Sequence, residues 1–182
     1  MRQGIPGTLL ILSLSSLACG YTLAGRGALT DPTIKKIGVP LFKDVTGKPG
    51  LDQKITEKVI EELLKRGHFD VIQGSTGVNA LVVGEITGYT VAPVGFADPS
   101  KTITEANRYS ITVTARVKYV KEGVTEPIWS NDAFSFKDEY DLGRSDQLFP
   151  ETTGFFDRED QAIERLSTDF ARTLVTNMLE AF

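Results

Sequence analysis

Residues 34–72 read IKKIGVPLFKDVTGKPGLDQKITEKVIEELLKRGHFDVI, and the hydrophobic period changes twice along them. The first part, with Ile34, Ile37 and Val39, is extended. KDVTGKPG is punctuated by Gly47, Pro49 and Gly50 and reads as a loop. From residue 51 to 66 the apolar side chains recur every four positions. Leu51, Ile55, Val59 and Leu63 make one helical stripe, and Ile60 and Leu64 widen it. Asp52 stands near the start of this helix and Lys65 and Arg66 near its end, the arrangement the helix macrodipole favours. Gly67 stops it, and HFDVIQG then returns to a short strand. A strand, a helix and a strand in this order predict a right-handed crossover between two parallel strands.

Downstream the pattern becomes that of an antiparallel meander. ALVVGEITGYTVAPV (80–94) is a long strand in which Gly84 or Gly88 marks a bulge. GFADPSKTITEA (95–106) is a turn-rich connection. RYSITVTARVKYV (108–120) alternates, with Tyr109, Ile111, Val113, Ala115, Val117 and Tyr119 on one face. Ser110, Thr112, Thr114, Arg116 and Lys118 share the other, so one face is buried and one is wet. A turn at Gly123 leads to a last strand, about 128–140, with Trp129, Phe134 and Phe136. Residues 141–156 read as an irregular loop. The closing helix is predicted over about 157–180, capped by Asp157 with Asp160 three residues on, and its stripe is Ile163, Leu166, Phe170, Leu174 and Met178. No internal repeat is present. Two amphipathic helices need cover, and a mixed sheet of about four to five strands has one apolar face to offer. The expected fold is an α/β (α+β) two-layer sandwich with both helices on one sheet face and the other face open.

The start of the chain belongs to a different world. Arg2 precedes Thr8–Leu17, an apolar stretch too short to span a bilayer, as in an export signal. SLAC then places Ala18 directly before Cys19, the sole cysteine. This resembles the lipobox of bacterial lipoproteins, although Ser16 stands where Leu is usual. The resemblance implies that Cys19 is diacylated at sulfur and acylated at its new amino group. Gly20, in place of a retention Asp, points to the outer membrane and its periplasmic face. The expected organisation is a signal at 1–18, a lipidated tether at 19–32 and one domain at 33–182. With no second cysteine, no disulfide supports the fold. The net charge of −4 argues against nucleic acid as a partner.

Catalytic groups are scarce. His68 is the single histidine, follows the helix-stopping glycine, and has no nucleophile elbow to serve. The acidic runs Asp138, Glu139, Asp141 and Asp157, Glu159, Asp160 lack calcium-loop spacing. TGKPG lacks Walker spacing. The reading is a non-enzymatic protein with neither metal nor cofactor. Candidate binding groups lie on the surface instead. Arg108, Arg116 and Lys118 form a basic row on the open sheet face, suited to the phosphates of an anionic glycolipid. Phe149, Phe155 and Phe156, in or beside the long loop, are candidate partner contacts, and Phe96 lies in the other loop.

CGYTLAG after a signal, followed by the 34–72 pattern, resembles the LPS-assembly lipoprotein family LptE. The specific part of that likeness spans about 19–72, and the order of elements continues it. It implies a lipoprotein that plugs and helps assemble the LptD-type outer-membrane β-barrel and assists lipopolysaccharide transport to the outer leaflet. IGVPLF and GHFDVI also resemble lipoproteins of the curli-secretion and penicillin-binding-protein-activator type, which form pores or regulate a synthase.

Overall fold

The alternating segment becomes strand β5 (Ala106–Lys121), and Ile111, Val113, Ala115, Val117 and Tyr119 have no exposed surface. The computed structural model describes residues 31, 33–66, 69–96, 106–141 and 151–180. Around β5 the chain lays down β1 (Lys36–Gly38), β2 (Lys43–Asp44), α1 (Leu51–Lys65), β3 (Asp70–Ile72), β4 (Ala80–Phe96), β6 (Pro127–Asp141) and α2 (Glu151–Glu180). The sheet has six strands in the order β3-β1-β4-β5-β6, with β2 also on β4. β1 is parallel to β3 and β4, and β2 is parallel to β4, whereas β4, β5 and β6 form the antiparallel meander. At about 3.3 Å per residue, the 17 residues of β4 span about 55 Å.

Helices α1 and α2 pack on one face of this sheet and against each other. Leu51, Ile55, Val59 and Leu63 of α1 join Ala162, Ile163, Leu166, Phe170, Leu174, Val175 and Met178 of α2 in one core with the odd-numbered row of β5. Phe170 meets Phe134 and Phe136 of β6 edge-on, with ring centroids 5.0 and 5.6 Å apart. Polar ties hold the helices in place. Arg66 donates to Thr176 Oγ1 at 2.6 Å, and Lys58 Nζ meets Glu164 Oε1 at 2.6 Å. Near the middle of β4, Glu159 of α2 is buried; the Tyr89 hydroxyl donates to its carboxylate, and Lys48 Nζ sits 3.0 Å from it. Burial and the bond to Glu159 push the Tyr89 hydroxyl well above its ordinary range. This cluster joins the loop before α1, the sheet and α2.

Several expectations need correction. The loop expected from residue 43 begins with β2, because Lys43 and Asp44 pair beside Glu85 and Ile86. Leu64 does not widen the stripe of α1; it is 53% exposed. Ser110, expected on the wet face, is buried between Ala92 and Glu139. α2 starts at Glu151, not near 157, so Asp157 is inside the helix and caps nothing. The signal in the sequence is Pro150 just before Glu151, since proline's fixed φ suits the entry to a helix and its missing N–H costs nothing there. Glu159, one of the acidic run at 157–160, is the buried carboxylate just described. The two glycines of β4 have different jobs. The register shift lies between Ile86 and Gly88, which makes Thr87 the extra residue of the bulge and leaves Gly88 paired with Thr114 just after it. Gly84 is required by packing: a Cβ there would lie 2.2 Å from the ring of Phe42.

Two outcomes follow. Gly84→Ala forces that buried ring to move and should cost about 2 kcal/mol, while Gly88→Ala, whose nearest neighbour would be Thr114 Cβ at 3.5 Å, should cost well under half as much. Urea unfolding read by the single tryptophan, Trp129, measures both; equal losses would contradict the Phe42 contact. Glu164 is held below its ordinary 4.5, chiefly by the hydrogen bond from Lys58. A lowered folded value means its contribution is complete above about pH 4.5 and fades as pH falls through that lower value. Glu164→Gln should therefore lower the urea midpoint modestly at pH 7 and match the wild type as the pH approaches 2. A constant difference across that range would refute it.

Candidate functional site

The face of the sheet away from the helices is open and built by the even-numbered side chains of β5 with their cross-strand neighbours. Register places Lys118 beside Val83 and Ser130, Arg116 beside Glu85, Thr114 beside Gly88 and Ser135, and Thr112 beside Thr90 and Lys137. Hydroxyls line the middle. Thr114 Oγ1 and Ser135 Oγ lie 3.2 Å apart, and Thr87 donates to the Thr114 carbonyl at 3.3 Å.

The charges on this face largely satisfy one another. A chain of ion pairs crosses four strands: Lys43 Nζ to Glu85 Oε1 at 3.0 Å, Glu85 Oε2 to Arg116 Nη1 at 3.0 Å, and Arg116 Nε to Asp132 Oδ1 at 3.3 Å. Asp132 reaches Arg116 because β6 bulges there, with the register shifting between Ala115 and Val117. Lys43 first, and Arg116 after it, hold the Glu85 carboxyl below the usual carboxylate range. At the far end Arg108 Nε meets Asp141 Oδ1 at 2.7 Å, which raises the guanidinium and lowers the carboxyl. Lys137 pairs with Glu139 at 3.1 Å.

The three predicted basic residues are thus not equivalent. Arg116 and Lys118 are neighbours on one face, but Arg108 lies eight residues from Arg116, about 26 Å along the strand. Arg108 and Arg116 already hold carboxylates and would have to give them up for a phosphate. Lys118 has no carboxylate partner among the described residues, and it is exposed. Phe155 and Phe156 fall in the first turns of α2, not in a loop, and their side chains lie outside the described residues. Phe149, His68 and Cys19 also lie outside them, as does the side chain of Phe96. The pairing of Glu85 with both Lys43 and Arg116 was not readable from spacing, because it depends on β2 joining the sheet. Among the described residues no three His, Cys, Asp or Glu side chains gather as a metal site. No described helix is long and apolar enough to cross a membrane.

Comparison with known proteins fixes the family. The family model for lipopolysaccharide assembly, LptE, matches residues 34–178. Among curated proteins none matches the chain. Solved structures share its fold at low identity. Uncharacterized lipoprotein B from Nitrosomonas europaea is 8% identical with a TM-score of 0.53, covering 89% of this chain and 92% of its own. Protein XCC0632 from Xanthomonas campestris is 12% identical with a TM-score of 0.50, covering 83% and 92%. The model match covers most of the chain, runs from the strand before α1 to the end of α2, and takes in every element of the sandwich; the chain belongs to the LptE lipopolysaccharide-assembly family.

Proposed function

We propose that this protein is an outer-membrane lipoprotein, anchored on the periplasmic face through Cys19, that plugs and helps assemble an LptD-type β-barrel and assists lipopolysaccharide on its way to the outer leaflet. The signal at 1–18, the tether at 19–32 and the single domain at 33–182 belong to this reading. It works by shape and contact and makes or breaks no bond in a substrate. The observation that carries it is the family match over the whole sandwich, and the open sheet face supports it physically. Barrel lumens are polar. Apart from Lys118, the hydroxyls and mutually neutralised charges of this face meet such a wall without stranding an unpaired ion, the costly outcome when charges are buried. Lys118, with Arg116 beside it, is the candidate contact for lipopolysaccharide phosphates; Arg108 stands too far along the strand to share the same phosphate. Phe149, Phe155 and Phe156 remain candidate barrel contacts.

Copurification of the intact lipoprotein from native membranes tests the partner. An outer-membrane β-barrel is the expected companion. A homo-oligomeric ring or a cell-wall synthase in its place would replace this reading by the pore-forming or synthase-regulating one. Cys19→Ala should move the protein from the membrane to the soluble fraction; unchanged fractionation would remove the anchor. Photocrosslinking to lipopolysaccharide separates the basic residues. Lys118→Glu should weaken it about tenfold, Arg116→Glu less, because that guanidinium is shared by Glu85 and Asp132, and barrel association should survive both. Equal crosslinking in wild type and Lys118→Glu would take the open face out of glycolipid binding.

A further inference from the structure

The chain enters the fold at one end of the sheet, and that end is where the open face turns apolar. Asp31 is tied to Lys121 at the end of β5, and Ile34 is already in the core. On the open face at this end, register aligns Leu81 of β4, Val120 of β5 and Pro127 of β6 in one cross-strand row. Val83, beside Lys118, begins the next row and is 43% exposed. Val124, in the turn that closes this end, is 48% exposed. Leu81, Val120 and Pro127 are half-buried. Beyond Lys118 toward the far end the face becomes charged and hydroxylated, as described above, and near the other end of β4 Val94 is again exposed.

We propose that this patch is a bilayer-contacting surface: Leu81, Val83, Val120, Val124 and Pro127 seat against the interface of the membrane that holds the anchor, with Lys118 at their edge reaching anionic lipid headgroups. The proposal rests on lipidation at Cys19. Its occupant follows from chain length. Cys19 and Asp31 are twelve positions apart, so the chain between them can span at most about 43 Å. The end of the sheet at Asp31 is therefore held closer to the lipid than β4 is long, and Val83 and Val124 are uncovered there. Apolar side chains with a cation beside them are what interfacial binding rewards. At such a high local concentration, a patch too small to bind a membrane alone engages it once tethered. The contact would fix the tilt of the domain, which the tether alone leaves free.

The acylated full-length protein in phosphatidylethanolamine–phosphatidylglycerol vesicles tests this. An environment-sensitive fluorophore is placed through Val124→Cys, or through Val94→Cys near the other end of β4, after mass spectrometry has established that Cys19 is acylated. The dye at 124 should shift to the blue and be quenched by brominated lipid, and the dye at 94 should not. Adding Val83→Asp should reduce quenching at 124 about tenfold while the Trp129 unfolding transition remains intact. Equal behaviour at 124 and 94 on acylated protein would overturn the proposal and leave the anchor standing. A bare cysteine would instead remove the anchor itself. Burial at 124 that appears only when lipopolysaccharide is added would also overturn it, assigning the patch to the transported glycolipid.

Discussion

The β5 row from Ile111 to Tyr119 has to be kept from water, and neither helix is wide enough to do it alone. Helix α2 covers β6 and the middle of the sheet, while α1 covers the side toward β2 and β3, and the two touch along their length. Their shared core is what makes the molecule two layers rather than three. One consequence is that neither helix covers the second sheet face. A second is that polar groups at the helix–sheet boundary need partners, and the buried Glu159 finds them in Tyr89 and Lys48. Removing Lys48 would leave Glu159 without its counter-charge, which costs more than the bond itself contributes.

Most of this arrangement was legible because it depends on period. The four-residue recurrence from Leu51 to Leu63 and the two-residue recurrence from Tyr109 to Tyr119 each specify an element and its buried face, and both faces are where the pattern puts them. Period is silent about contacts made at a distance. Lys43 and Asp44 carry no strand signal of their own and become a strand only because β4 continues past β1 with an unpaired edge. Gly84 and Gly88 look alike in sequence, yet one makes room for Phe42 and the other only follows the register shift at Thr87. The beginning of α2 was misplaced because Thr152, Thr153 and Gly154 are weak helix formers, and the stripe that reveals the helix starts only further on.

The candidate site was legible in outline and wrong in emphasis. Alternation put Arg116 and Lys118 on the open face, and they are there. Their chemistry differs because Arg116 has two carboxylates at hand, one from β4 and one from a bulge in β6, while Lys118 faces a valine and a serine. The open face thus has two characters. Toward the chain entry it offers apolar side chains and one unengaged cation, fitted to lipid. Toward the other end it offers hydroxyls and closed ion pairs, fitted to a polar protein wall. On the proposed reading, in which the protein holds a barrel and stays at a membrane, both characters have a use.

Photocrosslinking from the uncovered sheet face in native membranes tests the central claim most directly. A photoreactive residue at Ser135 or Lys137, on the hydroxyl-lined part of the open face, should crosslink to an outer-membrane β-barrel protein. The same residue at Asp169 or Arg172, on the exposed back of α2, should give much less of that product. A barrel crosslink that arises from α2 and not from the sheet would contradict the account.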